Sequence, residues 1–226
     1  MASTAKGCGV YMDKLDQKNM LWNQLHKKLS VLGYRKNTSR QSFWKPFEFG
    51  KVAIHVSFIN HHDDFDLTVD VGIRFDVLEE IKNKHHTLLS AKEKNQTFSI
   101  GAELGHLSEG KPKRWTINKE SDIELISNNI YKTIEIVAFP YIEKYSIMEN
   151  AFKGCLDDGK ESWLLTSIDC KRAMNAVGFA KILNKTDQID EIIRDKTKFL
   201  EEKNDFGLPL FKTFANDVRG SISANG

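Results

Sequence analysis

The chain is poor in everything that would announce a reaction. Its three cysteines, Cys8, Cys155 and Cys170, are odd in number and far apart, which excludes a disulfide framework and a zinc-type spacing. They read as reduced thiols in a cytoplasmic protein. Four prolines in 226 residues and no low-complexity run leave no room for long disordered linkers. No stretch approaches the roughly 18 apolar residues of a membrane helix, and the first ten residues hold no apolar core of a secretory signal. A G-x-S-x-G nucleophile elbow is missing, and Gly101-Ala-Glu-Leu-Gly105 is too sparse to cradle a phosphate. From these absences no catalytic residue, cofactor or metal is assigned, and no membrane partner is expected.

What is present is a long alternating hairpin. Phe65, Leu67, Val69, Val71, Ile73 and Phe75 alternate with Asp66, Thr68, Asp70, Gly72 and Arg74. Upstream, Val52, Ile54, Val56 and Phe58 alternate with Ala53, His55, Ser57 and Ile59. A period of two puts one set on each face of a strand, and Asn60 to Asp64 are turn formers. A slip of one residue would turn the apolar row to water, so the register is strongly specified. The other face carries His55, Asp66, Asp70 and Arg74, the candidate ligand-binding residues. Asp66 and Asp70 are four apart, about 13 Å along a strand, too far to share a proton and suited to separate contacts. Antiparallel sheets usually leave one face wet, so this face is expected to be exposed.

Around the hairpin the pattern turns helical. A helix is predicted from Asp13, with Leu15, Met20, Leu21, Leu25, Leu29 and Leu32 near helical spacing and Gly33 as its stop. A basic link, Tyr34 to Arg40, leads to a first strand over 41–49. Asp76 is expected to cap a helix of about ten residues. Strands are predicted over 97–104 and 114–117, separated by a turn, for about five antiparallel strands in all. Ser121 to Glu124 and Ser146 to Glu149 read as capping boxes, and Pro140 should kink or end the helix between them. Helices are expected to run to Asn184 and over Ile189 to Leu200. The tail from Asn204 reads as irregular apart from a short turn near Lys212. The result is an α+β chain: a flexible leader (1–12), a sheet domain (13–146) and a helical C-terminal portion (147–226) packed on or beside it.

The motifs Leu32-Gly-Tyr-Arg-Lys36, Phe43-Trp-Lys45, His55-Val-Ser-Phe58, Thr68-Val-Asp-Val-Gly-Ile73 and Phe139-Pro-Tyr-Ile-Glu-Lys-Tyr-Ser146 give residues 13–146 a second reading. In that order they resemble the bacterial family catalogued as domain of unknown function 4304. The resemblance implies helices packed against an antiparallel sheet. It implies no chemistry, and no catalytic residue is carried over from it.

Net charge is only +2, but it is uneven. Residues 1–51 carry ten Lys/Arg against three Asp/Glu, while 63–80 carry seven acids against Arg74 alone. Such asymmetry fits a charged partner surface. The basic, aromatic stretch 34–51 is a candidate for nucleic acid, but its aromatics are more economically core and its lysines edge protection. His61-His62-Asp63-Asp64 offers four metal-type ligands, yet adjacent side chains splay apart and no spaced partner is present. The expected function is therefore a protein-binding module, of the immunity or defence-associated kind, with a protein partner rather than nucleic acid. The alternative is a small hydrolase or ligand-binding protein using the polar sheet face.

Overall fold

The computed structural model describes residues 13–223, so the leader expected over 1–12, with Cys8, lies outside the described residues. Helix α1 (Lys14–Ser30) opens where the Asp13 carboxylate accepts from the Asp16 backbone N–H at 2.8 Å. It buries Leu21, Leu25 and Leu29. At its end the Gly33 N–H donates to Ser30 O, and the Tyr34 N–H to Leu29 O. Then come β1 (Arg35–Asn37), β2 (Ser42–Phe47), β3 (Gly50–Asn60) and β4 (Phe65–Phe75). They are followed by α2 (Asp76–Asn83), a single turn α3 (Ala91–Lys94), β5 (Ile100–Glu103), α4 (Leu104–Glu109) and β6 (Trp115–Ile117). The chain finishes with α5 (Asp122–Thr133), α6 (Phe139–Tyr145), α7 (Met148–Leu156), α8 (Asp169–Ile182), α9 (Ile189–Glu202) and α10 (Leu208–Ser223).

The fold is α+β with an antiparallel sheet of order β1-β2-β3-β4-β5. The sheet has one strand more than the expected five: β1 forms within the stretch read as a basic link, pairing with residues 42–44 of β2. On the other side β6 pairs with residues 65–67 of β4, and β5 pairs with residues 70–73 of the same edge. The hairpin register follows the alternation, with Val56 opposite Val69 and His55 opposite Asp70. All six apolar residues of β4 are at most 1% exposed. They join a core with α1, α5 and the C-terminal helices, where Trp22 stacks on Phe43 at 4.1 Å and Phe75 meets Phe179 edge-on at 5.1 Å. No helix of the described residues is long and apolar enough to cross a membrane.

Several expectations are corrected. Neither Ser121 nor Ser146 caps a helix: the Asp122 carboxylate accepts from the Asn118 and Lys119 N–H groups, and Ile147 precedes α7 with no side-chain cap. The capping box that does form is Ser90–Glu93. Asp76 is the first residue of α2, not its cap. Pro140 does not stop its helix. Residues 134–138 widen into a π-turn in which the Phe139 N–H reaches Ile134 O, and Pro140 falls in the first turn of α6, where its missing donor costs little. The expected turn after β5 holds α4. The tail is a 16-residue helix, α10, that buries Phe211, Phe214, Ala215 and Val218.

Helix α8 is the hub of the C-terminal helices, touching α2, α7, α9 and α10. Buried residues occupy nearly all of its circumference, which is why it lacks an amphipathic stripe. A buried polar chain ties it to the sheet. The Lys82 ammonium donates to Glu79 Oε1 (2.8 Å) and Asn175 Oδ1 (2.7 Å), and Asn175 Nδ2 donates to Ser99 O (2.7 Å). Ser99 Oγ in turn accepts from the Phe75 N–H at 3.0 Å. The side chains of Cys155 and Cys170 are buried free thiols.

Candidate functional site

Cross-strand register aligns two rows on the sheet face opposite the core. Ser42, His55, Asp70 and Glu103 stand opposite one another across β2, β3, β4 and β5. Beside them runs the row Trp44, Ala53, Gly72 and Gly101. The small residues of the second row make a floor. A Cβ on Gly101 would lie 2.4 Å from Val71 O in the neighbouring strand, and one on Gly72 would lie 2.9 Å from the Phe98 ring, which packs over that glycine, so neither position has room for a side chain.

The face is not left wet. A strap over residues 160–167 crosses it and is pinned at successive carbonyls. Tyr141 Oη donates to Leu164 O (3.0 Å), the Gly101 N–H to Leu165 O (2.7 Å) and the Arg172 guanidinium to Thr166 O (3.4 Å). Arg172 is itself held by Asp158 and Asp169. Between strap and sheet lies a cavity of about 750 Å³. Its rings are Trp44, Phe98 and Trp163, and its ionisable groups include His55, Asp70, Glu103, His106, Lys51 and Lys171.

These groups differ in what they already hold. Glu103 Oε1 accepts from the Gly105 N–H (2.8 Å), Oε2 pairs with His106 Nδ1 (3.2 Å), and the Lys113 N–H lies 3.3–3.4 Å from both oxygens. Lys51 donates to Asn95 O at 2.9 Å. Burial, then the Arg74 and Arg40 charges, lowers its pKa. Asp70 has no hydrogen bond or ion pair among the described residues. Burial pushes its carboxyl above the ordinary range; the Glu103 charge adds to this, while His55 and His106 oppose it. Lys171 is equally without a partner. Burial, helped by the nearby Lys82 charge, brings its ammonium down to about 8.

Of the four sequence candidates, the fold brings together two. His55 and Asp70 line the cavity as cross-strand neighbours. Arg74 is on the same face but only 5% exposed. Its Nε donates to Asp76 (2.6 Å) and its Nη1 to Lys94 O (3.0 Å) and Thr97 O (2.8 Å), so it pins the loop before β5. Asp66 sits at the far end of β4, accepting from Thr116 Oγ1 at 2.6 Å and facing His61 (3.1 Å) and Arg114 (3.6 Å). The Thr116 hydroxyl, then His61 and Arg114, hold its carboxyl below the usual range against the effect of burial.

Sequence reasoning missed Lys171, Glu103, His106 and Trp163. Only the glycine at 101 inside an otherwise strand-like run hinted at a close approach. In the 61–64 turn His62 pairs with Asp63 at 2.7 Å while His61 turns to Asp66. Among the described residues no three His, Cys, Asp or Glu are grouped to hold a metal ion. The basic aromatic stretch is largely self-engaged: Phe43 is buried, Arg35 lies over Trp44 at 5.2 Å, and Lys45 over Tyr34 at 6.0 Å.

The chain matches no protein-family model, no curated protein and no solved structure.

Proposed function

We propose that this protein binds a small organic molecule in the cavity between the polar sheet face and the 160–167 strap. The observation that carries this reading is the pair Asp70 and Lys171. Both are half-buried, of opposite sign, and without a hydrogen bond or ion pair among the described residues. Desolvating ionisable groups and leaving them unpaired is costly, and such groups cluster where a ligand supplies the missing partner. The cavity volume, about 750 Å³, lies within the range of small-molecule sites, which combine apolar walls with few polar groups.

A thermal-shift screen of a broad metabolite panel tests this. A ligand at about a hundred times its Kd stabilises by roughly 2.7 kcal/mol, which for a chain of this size is a rise of several degrees. Lys171→Met should reduce that rise while the unliganded melt stays near wild type. If no compound shifts the melt, and native mass spectrometry of protein purified from its host finds no bound molecule, the reading is wrong.

Uneven charge and isolated exposed apolar side chains, Leu88 at 97% and Phe206 at 92%, support a second reading, a protein-binding module. Under it, a partner captured from the native host should associate more slowly as salt rises. Arg35→Glu with Lys36→Glu, or Asp63→Lys with Asp64→Lys, should then weaken capture. Capture indifferent to salt and to both charge reversals would count against it.

A further inference from the structure

The cavity's unmet charge says what kind of molecule it takes, an inference that rests on the binding reading above. Of its two acids, Glu103 is already satisfied by Gly105, Lys113 and His106. That leaves Asp70 as the one unmatched carboxylate among the lining residues. Of its cations, Lys51 gives one N–H to Asn95 O, while the Arg40 guanidinium and the Lys171 ammonium have no acceptor among the described residues. Lys82, facing Lys171 from α2, is already matched by Glu79 on the same helix. Positive charge is therefore in excess, with donors waiting for an acceptor. The walls are rings, and Phe98 packs against the small-residue row of Ala53, Gly72 and Gly101 by lying over Gly72. A flat molecule can pack against these rings where a branched one cannot, and ring–ring packing adds to burial of its area.

We infer that the cavity binds a flat-ringed organic anion, a carboxylate or phosphate carried on an aromatic ring, with its negative group at Lys171 and its ring among Trp44, Phe98 and Trp163. The charge-assisted hydrogen bond from Lys171 supplies much of the preference for the anion. Arg40 and Lys51 attract the anion to the same cavity.

The pH dependence follows from the groups around Lys171: Lys82 and Glu79 on α2, His86 just beyond it, and Cys155 on α7. Glu79, brought down to about 2, stays ionised, and the buried Cys155 thiol, pushed up to about 12, stays neutral. Burial holds His86 below its ordinary value, so it is neutral from pH 7 upward. Between pH 7 and 9 Lys171 is then the group here that changes charge, and anion affinity should fall as it loses its proton.

Calorimetric titration with matched probes tests the inference: 2-naphthoate, 2-naphthyl phosphate, the neutral naphthalene-2-carboxamide and the cationic 2-naphthylmethylamine. One anion should bind about tenfold or more tighter than the carboxamide, and the choice between the two anions tells carboxylate from phosphate. Lys171→Met should abolish that margin and its decline from pH 7 to 9, leaving carboxamide binding within about twofold. Because Lys171 makes no hydrogen bond among the described residues, this variant should melt like wild type. Equal binding of anion and carboxamide, or tightest binding of the amine, overturns the anion inference while the pocket reading stands. Binding of molecules from the broad panel but of none of these probes also overturns it. If nothing of any charge binds, the pocket reading itself fails.

Discussion

Val69→Asp should leave the protein unfolded at room temperature. Val69 lies at the middle of β4, fully buried, opposite Val56 on the apolar face. The substitution removes a packed side chain and buries a carboxylate among Val56, Val71 and their neighbours with no donor to meet it. That costs several kcal/mol, against a total stability of about 5–15 kcal/mol for a folded chain. The neighbouring Thr68→Asp provides the control, because Thr68 points to the other face and is only half-buried. Circular dichroism melts should show no cooperative transition for Val69→Asp and a nearly unchanged one for Thr68→Asp. A Val69→Asp melt within a degree or two of wild type would mean the register is wrong.

Lys82→Met should destabilise by about 3–5 kcal/mol, the usual cost of removing one partner of a buried ion pair. Glu79 and Lys82 are each only 1% exposed, and Lys82 also holds Asn175, which links α8 to Ser99. The pH dependence should reverse sign. In the wild type, burial alone would raise the Glu79 pKa, but the Lys82 charge and hydrogen bond, helped by Thr97 and Lys171, bring it from 4.5 down to about 2. A folded value below the unfolded one gives stability that is complete above about pH 5 and lost as pH falls toward 2. Without Lys82, burial would instead push the Glu79 carboxyl above its ordinary range. The variant should then gain stability on acidification from pH 7.5 to 5, as the buried acid becomes neutral. Urea midpoints at these two pH values check the variant's sign, and wild-type midpoints followed from pH 5 toward about 3 check the opposite one. A Lys82→Met midpoint that falls on acidification would show that the pair does not govern Glu79.

The candidate site was only half legible in the sequence because strand alternation reports a face and not what covers it. Asp70 and Arg74 have the same spacing, the same face and similar neighbours. The loop carrying Lys94 and Thr97 folds over Arg74 and uses up its donors, while the strap stands off Asp70 and leaves a cavity. Nothing within β4 distinguishes the two. Ser121 and Ser146 fit the capping pattern, yet Ser121 stands at the N-cap in helical geometry with no side-chain cap bond, and Ile147 takes the N-cap of α7, because cap geometry depends on the direction of the incoming chain. The α10 helix was hidden by Gly207, Pro209 and Gly220. Pro209 is harmless in a first turn, and a Cβ at Gly220 would meet nothing within 4 Å. The spacing of Phe211, Phe214, Ala215 and Val218 was the better signal.

By itself the sequence determined the α+β class, the central hairpin with its register, the amphipathic face of α9 and the start of α1. These rest on local periodicity and on the cost of exposing an apolar row, both of which are written in consecutive residues. Only the tertiary structure decided that β5 and β6 share one edge of β4, that a strap roofs the polar face, and that Lys171 on α8 joins Asp70 on β4 in one cavity. That meeting depends on α8 packing against α2 and on three carbonyls of the strap finding donors in distant elements. Contacts between residues so far apart in the chain leave no period in the sequence; they follow from how the packed layers satisfy one another's buried surface and hydrogen bonds.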